Sequence, residues 1–246
     1  MKKVFKKIIQ FYLKILSVIV LKKHKPEIIV IAGSANKHTI KQELKNILSD
    51  KFSVRIGPKH YNAEIGVPLT ILGLVSDSSE IKIWLPLIFK ATKIALFSKT
   101  FPKKIILELG ISHPNDMDYF LLILNPKIVI LTDITPKYLD NFGTLDNEAR
   151  EFAKLVKKTD NNGLVLLNYD DLRIKNLKKF TEAKALYYGK GKGSDFRALD
   201  ITTENNKQIF NLKYNEQCKK IILNKFGVHY IYSKLVGEAI KKYYNI

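Results

Sequence analysis

Gly33, Ser34, Asn36, Lys37 and Thr39 fall within one short stretch, GSANKHT, that follows directly on the apolar run EIIVIA. A strand that ends in a glycine turn and then presents Lys-x-Thr has the parts of a phosphate-binding loop. Backbone N–H groups can surround an anion, an ammonium can meet it, and a hydroxyl can stand beside it. Two positions depart from that pattern. Asn36 stands where a second glycine would sit, and His38 where a magnesium-binding hydroxyl would sit. Asn tolerates positive φ better than any other residue with a side chain, so the turn itself can form. Imidazole is a poor ligand for magnesium, a hard cation that seeks oxygen.

The elements that would hold this loop follow from the apolar pattern. Residues 27–32, 52–56, 104–109, 127–132 and 163–167 read as strands, and 38–49, 78–97, 115–124, 145–158 and 227–243 as helices. Apolar, β-branched strands alternating with helices predict a parallel sheet covered on both faces. The region 184–224 is richer in short strands and predicts an antiparallel edge or small sheet. Ligands bind at the carboxyl ends of such strands. Four polar stretches fall there: GSANKHT, ELGISHP, TDITPKYLDNFG and LNYDD. Four loops converging on one rim are more specific than any one of them.

Residues 1–23 read as a basic amphipathic helix, with lysines on one face and Val4, Phe5, Ile8, Ile9, Phe11, Tyr12, Ile15, Leu16 and Ile19 on the other. No charge-free run reaches the roughly 20 residues of a membrane span. Such a helix can lie on an anionic membrane surface or pack on the domain behind it. The stretch lacks the small-residue cleavage site of a signal peptide, which with a single cysteine, Cys218, fits the cytoplasm, with a peripheral position at the inner membrane face as one outcome. One cysteine excludes an intrachain disulfide and a cysteine-cluster metal site.

The 246 residues suffice for one sizeable core, and the organisation predicted is a helix over 1–24 followed by one α/β domain over 25–246. Net charge is +19, from 42 Lys+Arg against 23 Asp+Glu. That excess suits a polyanionic partner. Most of it is lysine spread along the chain, however, and no arginine-rich or aromatic-plus-basic RNA motif is present, so nucleic acid is disfavoured.

Several stretches together resemble the Mur ligase family, in its central ATP-binding domain. NAEIGVPLTIL, LELGISHPNDMDYF, ILTDITPKYLDNFGTLDNEAREFAKL, LNYDD and FGVHYIYSKLVGEAI occur in the family's order from about residue 27 to the C-terminus. They are most similar to the branch that adds D-alanyl-D-alanine to a UDP-muramoyl tripeptide. The resemblance implies a P-loop-type, mostly parallel sheet flanked by helices, and a place in peptidoglycan-precursor synthesis. It also implies that the family's N-terminal UDP-sugar domain and C-terminal domain are absent here, so that a working enzyme would need another chain to supply the missing part. Another Mur ligase is the partner that this suggests.

The family makes an acyl-phosphate from a carboxylate and ATP, using magnesium, and lets an amine displace phosphate. By resemblance, Gly33, Ser34, Asn36, Lys37 and Thr39 correspond to the phosphate loop, and Asn168, Asp171 and His229 to the nucleotide-base corner. Glu108 corresponds to a metal-binding glutamate. The metal-binding histidine of the family's Asn-Ile-x-x-x-His-Leu-x-x-Phe-Gly segment is replaced by Tyr138, and the lysine that the family carbamylates falls on Phe152. A phenylalanine cannot be carbamylated. Lys154 lies on the wrong face of the helix to substitute, and Glu151 is the one neighbour able to compensate in part. With His38, three residues suited to Mg-ATP are substituted while Lys37 and Glu108 remain. The sequence therefore favours a binding or scaffold module with a decayed Mg-ATP site, against an active ATP-dependent acid–amino-acid ligase completed by a partner chain and against a nucleic-acid-binding module.

Overall fold

The computed structural model describes residues 3–58, 61–76 and 81–246. In chain order the elements are α1 (Lys3–His24), β1 (Glu27–Ala32), α2 (Lys37–Ser49), β2 (Val54–Ile56), α3 (Gly66–Leu72), α4 (Ile81–Phe97), β3 (Lys104–Leu109) and α5 (Asp116–Leu121). They continue with β4 (Ile128–Leu131), α6 (Leu139–Phe142), α7 (Leu145–Lys157), β5 (Leu164–Asn168), α8 (Leu172–Lys175), β6 (Lys184–Gly189), β7 (Phe196–Glu204), β8 (Lys207–Tyr214), β9 (Gln217–Leu223) and α9 (Val228–Tyr244). Among the described residues the strands form one sheet, in the order β2-β3-β1-β4-β5-β6-β7-β8-β9.

The strands run apolar throughout because both faces are covered. Ile28, Val30, Ile105, Leu107, Val129, Leu131, Val165 and Leu167 pack on one side with α1, α3, α4, α5 and α7. Ile29, Ile31, Ile106, Ile128, Ile130, Leu164 and Leu166 pack on the other with α2 and α9. The period of two in side-chain direction assigns each residue to its layer.

Pairing is parallel from β2 through to β7 and antiparallel only for β7–β8 and β8–β9. The strand over ALYYG, grouped by sequence with the antiparallel region, is thus a parallel strand beside β5, and the antiparallel hairpins extend the same sheet. Helix α3 is a second difference. GVPLTIL carries Gly66 and Pro68, which discourage a helical reading, yet both lie in its first turn, where a proline has no partner to lose. The helix expected over 78–97 begins at Ile81, and 78–80 lie outside the described residues. The helix expected over 115–124 is the short α5.

Helix α1 is part of the domain. Ile9, Leu13, Leu16 and Val20 are fully or almost fully buried against α3 and α4. Val4, Ile8, Phe11, Ile15 and Ile19 stand exposed. The apolar face read from sequence as one is two stripes.

Candidate functional site: a loop closed on itself

The carboxyl ends of β1, β3, β4 and β5 share one rim, because these strands are parallel neighbours. Ile31 lies opposite Glu108, so the carboxylate emerges at the base of the loop that starts at Gly33. Gly33 has φ +130°, and a Cβ there would come within 2.1 Å of Thr132 Oγ1. Only glycine fits that turn against β4. Asn36 has φ 64° and enters α2 from the left-handed region, as its tolerance of positive φ led us to expect.

Part of the loop's donor set is engaged inside the chain. Ser34 N donates to the Asp133 carbonyl at 2.8 Å, and Ala35 N donates to Asp133 Oδ1 at 2.9 Å. The Asn36 side-chain amide reaches Asp133 Oδ2 at 3.3 Å. Asp133 thus holds its carboxylate against the loop. Lys37 Nζ donates to the Gly33 carbonyl of its own loop. Burial lowers its pKa, an effect opposed by Glu108, Asp133 and Glu148 and reinforced by Lys137.

Glu108 has a cation that sequence reading did not supply. Lys41, one turn beyond Lys37 on α2, is buried, and its Nζ lies 2.7 Å from Glu108 Oε1. The same ammonium donates to the carbonyls of Gly57, at 2.9 Å, and Pro58, at 3.2 Å. All three of its protons have acceptors. His38 Nδ1 stands 3.4 Å from the same carboxylate oxygen.

A cleft of about 140 Å³ opens beside the loop, with Ser34, Lys37, Asn62, Ser112, Lys137 and Tyr138 in its wall. Gly110 N donates to Asn62 O at 2.8 Å, which straps the NAEIG stretch to the end of β3. Thr39 is turned away from this cleft. It lines another, of about 450 Å³, with His38, Tyr230, Ser233 and Lys234.

The remaining positions pack among the helices. Phe152 is fully buried in the core. Glu151 accepts from Met117 N at 3.2 Å and pairs with Lys154 at 2.8 Å, while Lys154 also holds Asp118 at 2.9 Å. Both face α5. Glu148, not singled out from sequence, accepts from Ser34 Oγ at 2.8 Å, and that hydroxyl accepts from Thr135 N at 3.0 Å. Glu148 is 1% exposed, its Oε2 has no partner, and burial raises its pKa.

At the base corner, Asn168 Oδ1 accepts from Asp170 N at 3.0 Å. Asp171 caps α8 by accepting from Arg173 N and Ile174 N, and its other oxygen accepts from Ile134 N at 2.8 Å. Asp170 accepts from Lys190 N, Gly191 N and Tyr232 OH. The ring of His229 lies against Tyr230, with centroids 4.2 Å apart. The structure brings Gly33, Ser34, Asn36, Lys37, Glu108 and Asp171 to one rim, with Thr39 and His229 facing other neighbours.

The residues that the resemblance assigns to magnesium do not fit it. Glu108 is already neutralised by Lys41, Tyr138 offers a phenol, position 152 is apolar core, and Thr39 faces another cleft. Among the described residues no group of three or more His, Cys, Asp or Glu side chains is arranged to hold a metal ion. Sequence reasoning missed Lys41, Asp133, Glu148 and Asp170. Lys41 had one signal, its i+4 spacing from Lys37.

Residues 89–239 match the family model described as Mur ligase middle domain. The UDP-N-acetylmuramoyl-tripeptide–D-alanyl-D-alanine ligase of Haemophilus influenzae is 23% identical over 219 residues, which are 87% of this chain and 42% of that protein. The UDP-N-acetylmuramate–L-alanine ligase of Desulfatibacillum aliphaticivorans is 28% identical over 134 residues, 54% of this chain and 29% of that protein. This chain thus spans less than half the length of these relatives. Among solved structures, MurF from Acinetobacter baumannii superposes with a TM-score of 0.77 at 19% identity, covering 96% of this chain and 47% of that one. MurF from Thermotoga maritima in complex with ADP gives 0.75 at 18% identity, covering 96% and 49%.

Proposed function

The chain belongs to the Mur ligase family, through its middle domain, and from that premise we propose that it is a binding or scaffold module of the peptidoglycan-precursor ligase lineage whose Mg-ATP site no longer works. The observation that carries this reading is the carboxylate of Asp133 on the Ala35 N–H and the Asn36 amide. A phosphate approaching that loop meets a negative charge that already holds two of its donors. Lys37, turned onto Gly33 O, and Lys41, committed to Glu108, support the same reading, as does a donor set unsuited to magnesium.

A second reading is favoured by the cleft in which Lys37 and Lys137 both stand: an active ATP-dependent acid–amino-acid ligase completed by another chain. Two ammonium groups in one small cleft suit an anion. The two readings separate in one experiment, calorimetry and thermal unfolding with ATP and MgCl₂. The first expects no nucleotide-dependent stabilisation of the wild-type chain, and a gain in Asp133→Asn, which removes the charge and keeps an acceptor. Binding by the wild-type chain that Lys37→Ala abolishes would overturn it.

A further inference from the structure

Helix α1 leaves Val4, Ile8, Phe11, Ile15 and Ile19 exposed along one side, with Val4 at 71% and Phe11 at 60%. Their spacing of three and four residues makes them a single stripe. Helix α4 has a matching stripe, Leu85, Phe89 and Leu96, with Phe89 at 74%. The two helices lie side by side. Tyr12 OH bonds Thr92 Oγ1 at 2.9 Å, and Lys23 Nζ donates to Leu96 O at 2.8 Å. Thr92 is a near neighbour of Phe89 and Leu96 on the α4 surface, and Tyr12 adjoins Ile8 and Ile15 on that of α1. The stripes therefore meet along this seam and form one apolar strip two helices wide.

Lysines border the strip. Lys7 and Lys14 flank it on α1, while Lys82, Lys90 and Lys93 stand beyond it on α4, among the further exposed Ile83 and Phe97. Helix α1 contains six lysines and α4 three, and neither contains an acidic residue. A monomer rarely leaves so continuous an apolar patch uncovered. No helix of the described residues is long and apolar enough to cross a membrane. A surface apolar at its centre, basic at its margins and built on two helices without a carboxylate complements an anionic bilayer, where the apolar groups enter the interface and the lysine stems reach up to the headgroups.

We propose that the α1–α4 face is a docking surface for an anionic lipid bilayer, formed by both helices and not by α1 alone. Flotation of the full chain with phosphatidylcholine vesicles, with and without phosphatidylglycerol, tests it. The chain should float with the anionic vesicles only. Phe11→Asp with Phe89→Asp should weaken that binding by about tenfold or more, because each charge enters the interface, while thermal unfolding stays near wild type, as both sites are exposed. Phe89→Asp alone should weaken it measurably, which separates the two-helix surface from an α1 anchor. Lys7→Glu with Lys14→Glu should weaken it and reduce its salt sensitivity. Absence of flotation, equal flotation with both vesicle types, or no effect of the phenylalanine changes would overturn the proposal. So would a dimer in sedimentation that Phe89→Asp dissolves, which would make a second copy of the chain the occupant.

Discussion

Lys41 and Glu108 form a buried ion pair, 2.7 Å from Nζ to Oε1, that joins the first turns of α2 to the end of β3 beneath the glycine loop. The side chains are 2% and 5% exposed. At that burial a lone charge is costly, and the pair with its two extra carbonyl acceptors is what makes both tolerable.

Removing one partner should cost far more than removing both. Lys41→Met or Glu108→Gln alone is expected to destabilise by about 3–5 kcal/mol for an unpaired buried charge, and the double variant by much less than the sum. Urea unfolding of the four proteins measures this cycle. Additive single effects would show that the two groups are independent.

Gly33→Ala should be among the most disruptive small changes at the rim. The new Cβ would sit within 2.1 Å of Thr132 Oγ1 at a φ of +130°. Strain of about 1–3 kcal/mol from the backbone alone is expected, before the clash is relieved. Asn36→Gly, at φ 64°, should stay within about 1 kcal/mol of wild type. Equal stability of the two variants would remove this account of the turn.

Glu148 should make stability fall as pH rises. Burial raises its folded pKa above the ordinary 4.5, so the folded state holds this proton where the unfolded chain has released it. Its stabilising contribution is complete below 4.5 and is lost as pH climbs through the raised value. Glu148→Gln should flatten that part of the profile and be more stable than wild type, relative to acid pH, at neutrality. Thermal unfolding from pH 4 upward, compared between the two proteins, reads the difference, and superimposable slopes would refute it.

The two stripes of α1 should respond differently to truncation. Leu13→Ala or Leu16→Ala leaves a cavity against α3 and α4 and should cost about 2–5 kcal/mol. Phe11→Ala and Ile8→Ala, on the open side, should stay within about 0.5 kcal/mol. Chemical denaturation of these four variants distinguishes a docked helix from a loosely attached one.

Runs such as EIIVIA and KIILEL were legible as buried parallel strands because a strand covered on both faces carries no polar alternation. The rim followed, since parallel neighbours deliver their loops to one end. GVPLTIL escaped because its glycine and proline act as breakers except in a first turn, which is where they fall. ALYYG escaped because a short half-exposed strand looks alike in parallel and antiparallel pairing.

By itself the sequence determined the layered sheet and the position of the loop, which rest on residue type and local spacing, while its resemblance to a family pointed to the lineage and to what positions 38, 138 and 152 are expected to lack. Only the tertiary structure decided what the polar groups of the rim touch. Lys41 meets Glu108 across 67 positions of chain, and Asp133 reaches Ala35 across 98. Those contacts depend on strand order and register, through which β3 and β4 flank β1. The same holds for α1. Periodicity gives it an apolar surface, but packing against α3 and α4 divides that surface into a stripe that holds the fold and a stripe that faces outward.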